Sequence, residues 1–221
     1  MKVNVLGKKN SVLNQYISEI RDVQVQSDSL RFRKNLFRIG QLFAYEISKV
    51  LAYEEKQVTT SLGTTAVPVL SKQPVVATIL RAGLPVHYGI LDIFDKASNA
   101  FISAYRKVYK DGHFVINVDY CSSTELSGET LILSDAVLAT GSSMVVCYKE
   151  LLNHGKPAHT HIVSVIASIE GVNYLKRKLA NTGITFWVGA IDDEMTAQAY
   201  IVPGLGDVGD LAFGEKGELT S

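Results

Sequence analysis

The residues with the clearest chemical potential form one short stretch near the middle of the chain. It begins just after an apolar segment, residues 130–133, that predicts a buried strand. The stretch consists of Asp135, Ala136, Val137, Leu138, Ala139, Thr140, Gly141, Ser142 and Ser143. Its glycine allows backbone N–H groups to turn inward, and its hydroxyl groups begin a predicted helix whose N-terminus attracts anions. We expect this loop to bind a phosphate, with Asp135 accepting hydrogen bonds from a sugar; a helix cap without a ligand is the simpler alternative.

A second glycine-rich segment, residues 204–209, matches the GxGxxG pattern of dinucleotide-binding folds. That pattern requires a strand before it, and a crossover helix and a second strand after it. Here Pro203 stands directly upstream, and too few residues follow in this sequence for such a unit. The segment therefore predicts a glycine-rich loop of another kind.

Strand and helix patterns alternate along most of the chain. Apolar segments predict strands at residues 74–80, 100–104, 130–133, 161–167 and 184–190, and helices are predicted at 142–153 and 170–179. Continuous apolar strands separated by helices are typical of a parallel sheet with both faces covered. Because open sheets of this kind bind ligands at the carboxyl ends of their strands, we expect the 135–143 loop to lie at that edge.

The N-terminal part of the chain has a different pattern. Apolar residues recur at three- and four-residue steps over residues 30–51, which predicts one amphipathic helix. Between residues 57 and 70, β-branched residues flank Leu62 and Gly63, which predicts a β-hairpin. We therefore expect a helical arm attached to a single α/β domain.

Composition limits the classes of protein to which the chain can belong. It has 221 residues, 47% of them hydrophobic, with 22 basic and 22 acidic side chains. That apolar content suffices for a folded domain, and the zero net charge disfavours a dedicated nucleic-acid-binding protein. The apolar segments are shorter than the roughly 20 residues that cross a bilayer. Cys121 and Cys147 form neither a metal motif nor a disulfide framework, so we expect a soluble, cytoplasmic protein.

Four segments together resemble the uracil phosphoribosyltransferase family. They are the 135–143 loop and residues 79–84, 105–106 and 200–210. The loop alone indicates only the wider phosphoribosyltransferase superfamily, whereas the Pro-Gly-Leu-Gly-Asp sequence within the last segment is specific to this family. The similarity covers most of the chain.

The resemblance implies a fold that agrees with the predicted elements. This is the α/β phosphoribosyltransferase-type fold, a twisted, mostly parallel sheet flanked by helices. Residues 1–221 are then one domain. Within it the resemblance implies a helical arm at 1–55, a flexible β-hairpin flap at 107–128 and a uracil-binding loop at 200–214.

The resemblance also implies an activity, the conversion of uracil and 5-phosphoribosyl 1-diphosphate (PRPP) to UMP and pyrophosphate in pyrimidine salvage. Mg²⁺ is the implied cofactor, carried by PRPP rather than bound directly by the protein, with assistance from Asp207. GTP is the implied effector, and a homodimer or homotetramer is the implied assembly. Neither nucleic acid nor membrane is an expected partner.

The site residues implied by the resemblance fall into three groups. Arg81 and Arg106 match the arginines that bind pyrophosphate, and with Asp207, beside the ribose, they are the implied catalytic residues. The 135–143 loop matches the segment that binds the ribose hydroxyls and the 5′-phosphate. The implied uracil-binding residues are Ile201, Gly206, Asp207 and Val208.

The chain departs from the family pattern at a few positions near these segments. The family usually has Pro at Ala136, Gly at Ser142, Asn at Thr196, Gly at Ala199 and a basic residue at Leu211. Two alternatives follow from these departures. One is a non-catalytic homologue that senses PRPP or a nucleotide, and the other is a phosphoribosyltransferase that acts on a different base.

Overall fold

The structure, a computed structural model, describes residues 1–108, 114–180 and 183–215. Its strands are β1 (Lys2–Val5), β2 (Tyr53–Thr59), β3 (Thr64–Leu70), β4 (Val75–Leu80), β5 (Ser98–Val108), β6 (Phe114–Ser122), β7 (Thr130–Leu138), β8 (His159–Ser168), β9 (Ile184–Asp192), β10 (Glu194–Met195) and β11 (Ile201–Val202). Its α-helices are α1 (Val12–Arg21), α2 (Ser29–Ser48), α3 (Leu84–Ile93), α4 (Ser142–Leu151), α5 (Ile169–Lys178) and α6 (Val208–Phe213). None of the helices in these ranges is long and apolar enough to cross a membrane.

Seven strands form one central sheet in the order β1-β9-β8-β7-β4-β5-β6. Neighbouring strands are parallel, except that β6 runs antiparallel to β5. The predicted α/β fold with a mostly parallel sheet is therefore confirmed. All five predicted strands lie in this sheet, and most of them extend beyond the predicted limits.

Helices cover both faces of the central sheet. The helices α1, α2 and α3 pack on one face, against residues such as Val76 and Ile132. The helices α4 and α5 pack on the other face, against residues such as Val75 and Leu131. Successive residues of a strand point to opposite faces, so a strand that is covered twice must be apolar throughout. This explains why the central strands are continuous apolar segments in the sequence.

The N-terminal arm differs from the prediction in its first residues. The predicted helical arm spans residues 1–55, but Lys2–Val5 form β1, which pairs with β9 at one edge of the sheet. Four residues are too few for an alternating pattern to stand out, so the sequence analysis missed this strand. Residues 53–55, at the end of the predicted arm, belong to β2. The predicted 30–51 helix is α2, which ends at Ser48.

Local capping and one apolar stripe explain the helices of the arm. The side chain of Ser11 accepts a hydrogen bond from the N–H of Leu13 at the start of α1, and Asp28 does the same for Arg31 at the start of α2. The stripe of α2 is almost fully buried and comprises Phe32, Leu36, Ile39, Phe43 and Ile47. Most of the stability of α2 therefore comes from packing on the sheet and on α3.

One of the two predicted hairpins is confirmed. The hairpin predicted at 57–70 is confirmed as β2 and β3. Strand β2 starts earlier than predicted, at Tyr53, and both strands are largely exposed. Within the predicted flap at 107–128, β6 forms the other edge of the central sheet. Residues 109–113 of that flap lie outside the described residues, and the flexibility of the flap stays a prediction.

Two glycines allow α2 and α3 to approach each other closely. A Cβ on Gly89 would overlap the carbonyl oxygen of Phe37 and would lie 3.0 Å from the backbone nitrogen of Gln41. A Cβ on Gly40 would likewise overlap the carbonyl oxygen of Val86. Helix α3 begins directly after Gly83, so this contact also fixes the position of the chain segment that precedes α3.

We predict that Gly89→Ala lowers the thermal unfolding midpoint. The added methyl group must push α3 away from α2, and overpacking of this kind costs about 1–3 kcal/mol. Gly63→Ala is the matched control, because a Cβ at that exposed hairpin turn meets no atom within 4 Å. Calorimetry compares the two variants. An unchanged midpoint for Gly89→Ala would contradict the close helix contact.

Candidate active site

Loops at the carboxyl ends of β4 and β7 meet the segment between β11 and α6 around one cavity of about 210 Å³. Its walls include Asp135, Val137 and Ala139 from the predicted phosphate loop, Ile201, Gly206, Asp207 and Val208 from the predicted uracil loop, and Ala82 next to Arg81. Three segments that are far apart in the sequence thus form one site. The predicted uracil-binding residues all lie at its wall.

Residues 135–138 of the predicted loop extend β7, and residues 139–141 form the turn into α4, which has the geometry of an anion-binding turn. Gly141 has a φ of +78°, and a Cβ there would lie 2.9 Å from Cδ1 of Leu175, so both conformation and space require glycine. The N–H of Ser142 donates to Oγ1 of Thr140 at 3.3 Å, and Ser143 continues the first turn of α4. The N–H groups of a first helical turn have no partners within the helix, so they can bind an anion here.

Helix α5 supports this turn from behind. The hydroxyl of Ser168 donates to the carbonyl oxygen of Ala139 at 2.6 Å and accepts from the N–H of Gly171 at 2.8 Å. A Cβ on Gly171 would overlap that same carbonyl oxygen of Ala139. Neither residue is among the predicted site residues, although a serine just before a helix is a capping signal, and Ser168 is the N-cap of α5.

Asp135 is a half-buried carboxylic acid at the wall of the cavity. Burial raises its pKa to about 7, and hydrogen bonds from the backbone N–H groups of Ala136 and Val137 oppose that rise. The N–H of Ala136 donates to Oδ1 of Asp135 at 2.8 Å. A ligand whose hydroxyl groups donate hydrogen bonds to this carboxylate stabilises its ionised form, so binding and ionisation are coupled.

Arg81 follows β4 and contacts α6 and the residue after it, although it is not itself among the described residues that line the cavity. Its Nη2 lies 3.0 Å from Oδ1 of Asp210 and 3.4 Å from the carbonyl oxygen of Gly214. Its Nε is buried and has no hydrogen-bond partner among the described residues. The guanidinium therefore carries an unused donor beside Gly209, which itself lines the cavity.

The backbone of Arg106 lies in β5, paired with Ile116 of β6. Its side chain lies outside the part of the chain that the structure describes. Its role in binding pyrophosphate therefore stays a prediction.

The predicted uracil loop is a tight turn stabilised by glycines and by one helix cap. Gly204 and Gly206 have φ values of +55° and +92°, in the left-handed region that favours glycine. Asp207 caps α6, because its Oδ1 accepts a hydrogen bond from the N–H of Asp210 at 3.1 Å. Ile201 and Gly206 both line the cavity.

The turn before this loop contains two of the substituted positions. Ala199 has a φ of +66°, a conformation that glycine adopts without strain, which explains the glycine expected from the resemblance. Nevertheless the turn is well bonded. The N–H of Thr196 donates to the carbonyl oxygen of Tyr200 at 2.8 Å, and the N–H of Tyr200 donates to Oγ1 of Thr196 at 3.2 Å. Ala199 and Tyr200 both line the cavity.

The other substituted positions leave the described walls of the cavity unchanged. Ala136 is fully buried on the face of the sheet that α1, α2 and α3 cover. Ser142 lies at the start of α4, and Leu211 packs against the core from α6. None of the three belongs to the described residues that line the cavity.

An ion pair that the sequence does not predict holds the uracil loop. Arg21 contacts Asp192 through two hydrogen bonds of 2.7 and 2.8 Å, and it donates to the carbonyl oxygen of Gly204 at 2.8 Å. Arg21 ends α1 and Asp192 ends β9. No local pattern connects two residues that are 171 positions apart, so only the fold shows the pair.

Comparison with known proteins gives one family. The chain matches the family model described as Uracil phosphoribosyltransferase over residues 7–215. It is 50% identical over 217 residues to the uracil phosphoribosyltransferase of Porphyromonas gingivalis, covering 98% of this chain and 100% of that protein. It is 35% identical to the uracil phosphoribosyltransferase of Pyrococcus furiosus, covering 94% and 88%. The solved structure of the AQ2163 protein from Aquifex aeolicus has a TM-score of 0.83 and 29% identity, covering 96% of this chain and 98% of that one.

We predict that Asp135 makes the unliganded protein less stable at pH 8 than at pH 5. The folded-state pKa of Asp135 is about 7, above the ordinary value of 3.8. Its contribution to the stability of the fold is therefore fully present below pH 3.8 and is lost as the pH rises through about 7. Asp135→Asn cannot ionise and keeps an oxygen acceptor for the N–H of Ala136.

Urea unfolding of the two proteins at pH 5 and pH 8 measures this effect. The free energy of unfolding should fall more for the wild-type chain than for the variant. Other titrating groups contribute equally to both proteins and cancel in the comparison. Equal pH dependence in the two proteins would contradict the raised pKa.

Proposed function

The chain belongs to the uracil phosphoribosyltransferase family, and we propose that it transfers the phosphoribosyl group of PRPP to uracil, giving UMP and pyrophosphate. Its mostly parallel sheet flanked by helices agrees with the phosphoribosyltransferase-type fold. One observation carries the proposal for this chain. A single cavity is lined by Asp135, Val137 and Ala139, which lead into the turn suited to a phosphate, and by a glycine-rich turn suited to a flat base.

The sugar phosphate binds in the 135–143 loop. The N–H groups at the start of α4 and the hydroxyls of Thr140, Ser142 and Ser143 bind the 5′-phosphate, since a helix N-terminus with hydroxyl donors favours a dianion. Asp135 accepts hydrogen bonds from the ribose hydroxyls, which requires its ionised form. Its raised pKa supports this role, because the ligand then supplies donors that the unliganded carboxylate lacks.

Pyrophosphate, the leaving group, binds at Arg81 and Arg106. A guanidinium stays charged and forms paired hydrogen bonds with oxyanions, so it neutralises charge as the leaving group departs. The unused Nε of Arg81 supports this assignment. Asp210 holds Arg81 through a single nitrogen, which leaves the remaining donors of the guanidinium for the ligand.

The transfer replaces one bond at C1′ of the ribose with another. The bond from C1′ to pyrophosphate breaks as the bond from C1′ to N1 of uracil forms, and the N1 proton is released. Positive charge develops on the ribose in the transition state. Asp135 and Asp207 both line the cavity, and their carboxylates stabilise that charge in a site partly shielded from water.

Uracil binds against the 200–214 loop. The backbone groups of Ile201 and Gly206 contact the polar edge of the base, and Val208 completes the wall beside them. Val137 and Ile166 line the same cavity and provide an apolar face for the ring. Backbone groups held in a rigid turn discriminate bases well, because a mismatched donor or acceptor is left unpaired.

The Mg²⁺ that the family implies fits the donors present at the cavity. Asp207 uses Oδ1 to cap α6, so its second oxygen remains to contact the ion or its water. When bound with PRPP, Mg²⁺ supplies further neutralisation of the pyrophosphate charge. We also propose GTP as an effector, a homodimer or homotetramer as the assembly, and the cytoplasm as the location, where phosphorylated substrates are retained.

The base preference separates this function from its alternatives. The purified protein is incubated with PRPP, Mg²⁺ and each of uracil, cytosine, hypoxanthine and orotate, and released pyrophosphate is measured. Turnover with uracil alone is the expected result. Turnover with another base would support a different specificity, and PRPP binding without any turnover would support a sensor.

We predict that Asp207→Asn reduces turnover at least tenfold without changing the thermal unfolding midpoint. Asparagine caps helices as well as aspartate does, so α6 keeps its cap while the site loses one negative charge. Asp193→Asn is the control, because Asp193 is exposed and does not line the cavity. Steady-state kinetics and calorimetry test both variants, and full activity in Asp207→Asn would exclude the proposed role of its charge.

A further inference from the structure

The end of the N-terminal arm contacts the uracil loop through one side chain. Arg21, the last residue of α1, donates from Nη1 to Oδ2 of Asp192 at 2.7 Å and from Nη2 to Oδ1 at 2.8 Å. The same Nη1 donates to the carbonyl oxygen of Gly204 at 2.8 Å. A planar guanidinium with several fixed donors can make all three bonds at once.

Asp192 completes this contact from the other side. Its Oδ2 accepts the N–H of Gly204 at 3.0 Å while it also accepts from Arg21. Both backbone polar groups of Gly204 are therefore held, the carbonyl by Arg21 and the N–H by Asp192. Gly204 packs closely against Ile201, because a Cβ on Gly204 would overlap the carbonyl oxygen of Ile201.

Gly204 lies between the two residues that we propose to contact uracil through their backbone. It follows Ile201 by three positions and precedes Gly206 by two, and all three line the 210 Å³ cavity. Arg21 instead lines a separate cavity of about 440 Å³, together with Gly206 and Asp207. Arg21 thus contacts the loop from behind and does not reach the substrate cavity itself.

The ion pair is largely removed from water. The side chains of Arg21 and Asp192 are 22% and 9% exposed. Removal of one partner from a buried pair leaves the other charge uncompensated, so the remaining group must rearrange. Here the group that must rearrange is bonded directly to Gly204.

We propose that Arg21 is a positioning residue for uracil binding, which acts through Asp192 and Gly204 to hold residues 201–206 in the conformation that contacts the base. The N-terminal arm is then part of the machinery of base recognition. The side-chain hydrogen bonds of Arg21 in the described structure go to Asp192 and Gly204, and neither the phosphate loop nor Arg81 is among their partners, so binding of the 5′-phosphate and of pyrophosphate does not depend on it. This inference rests on the proposed function.

The kinetic test compares two arginines of the arm. Arg21→Gln should raise KM for uracil at least tenfold while KM for PRPP stays within twofold. Arg31→Gln is the matched control, because Arg31 also pairs with a carboxylate through two bonds, both 2.9 Å to Glu19, but contacts no part of the loop in the described structure. Both constants should stay within twofold in that variant. Arg21→Lys should lie between Arg21→Gln and the wild-type chain, because an ammonium cannot reproduce the paired geometry.

A second variant keeps the test valid if Arg21→Gln does not fold. Asp192→Asn retains an oxygen acceptor for the N–H of Gly204 but loses the charge that pairs with Arg21. It should also raise KM for uracil selectively. In the double variant the increase should not exceed that of the larger single change, because both residues act through one contact.

Hydrogen exchange provides a measurement that does not depend on activity. Backbone N–H groups of residues 201–206, apart from Pro203, which has none, should exchange at least tenfold faster in Arg21→Gln than in Arg31→Gln, whereas those of the 135–143 loop should be unchanged. Equal exchange in the two variants would overturn the positioning role.

The outcomes separate the inference from the proposed function. If the wild-type chain forms UMP and Arg21→Gln changes both KM values equally or neither of them, the inference fails alone. If the wild-type chain forms no UMP, the proposed function fails, and with it the role of Arg21 in uracil binding. A selective rise in KM for uracil together with faster exchange in residues 201–206 supports both.

Discussion

The parallel pairing of β4 with β7 is the constraint on which the rest of the site depends. Because the two strands are parallel neighbours, their carboxyl ends lie at the same edge of the sheet. Arg81, just after β4, and Asp135, within β7, are therefore brought to that edge together. Two buried hydroxyls link these strands, one near the end of β4 and one in the middle of β7. Thr78 donates to the carbonyl oxygen of Ser134, and Ser134 donates to that of Ala77, each at 3.2 Å. Gly83 packs against these two hydroxyl-bearing residues, because a Cβ on Gly83 would lie 2.9 Å from the carbonyl oxygen of Ser134.

One basic and one acidic group near the cavity lack full compensation for the water that they have lost. Arg81 has a buried nitrogen without a partner among the described residues, and burial raises the pKa of Asp135. Each arrangement is unfavourable alone, because polar groups lose water without gaining full compensation. One ligand with anionic groups and hydroxyl donors satisfies both. The surrounding turns hold these groups in place through backbone contacts, so little reorganisation is needed when the ligand binds.

Sequence patterns predict the parts of the molecule that local physics determines. Continuous apolar segments indicate the buried strands, and the 135–143 loop is recognisable because an anion-binding turn needs small and hydroxyl-bearing residues. Contacts between distant segments were not predictable in this way. The Arg21–Asp192 pair joins residues 171 positions apart, and the Arg81–Asp210 pair joins residues 129 positions apart. Strand β1 was missed for the related reason that its pairing with β9, rather than its own short sequence, makes it a strand.

The position of β1 has a consequence for how the chain folds during synthesis. Residues 2–5 are synthesised long before their partner strand, Ile184–Asp192. Closing so large a loop costs entropy before any contact compensates for it, which slows folding. Strand β1 therefore remains unpaired while α2 and the inner strands assemble. The sheet edge, and the Arg21 contact beside it, cannot be completed until β9 has been synthesised.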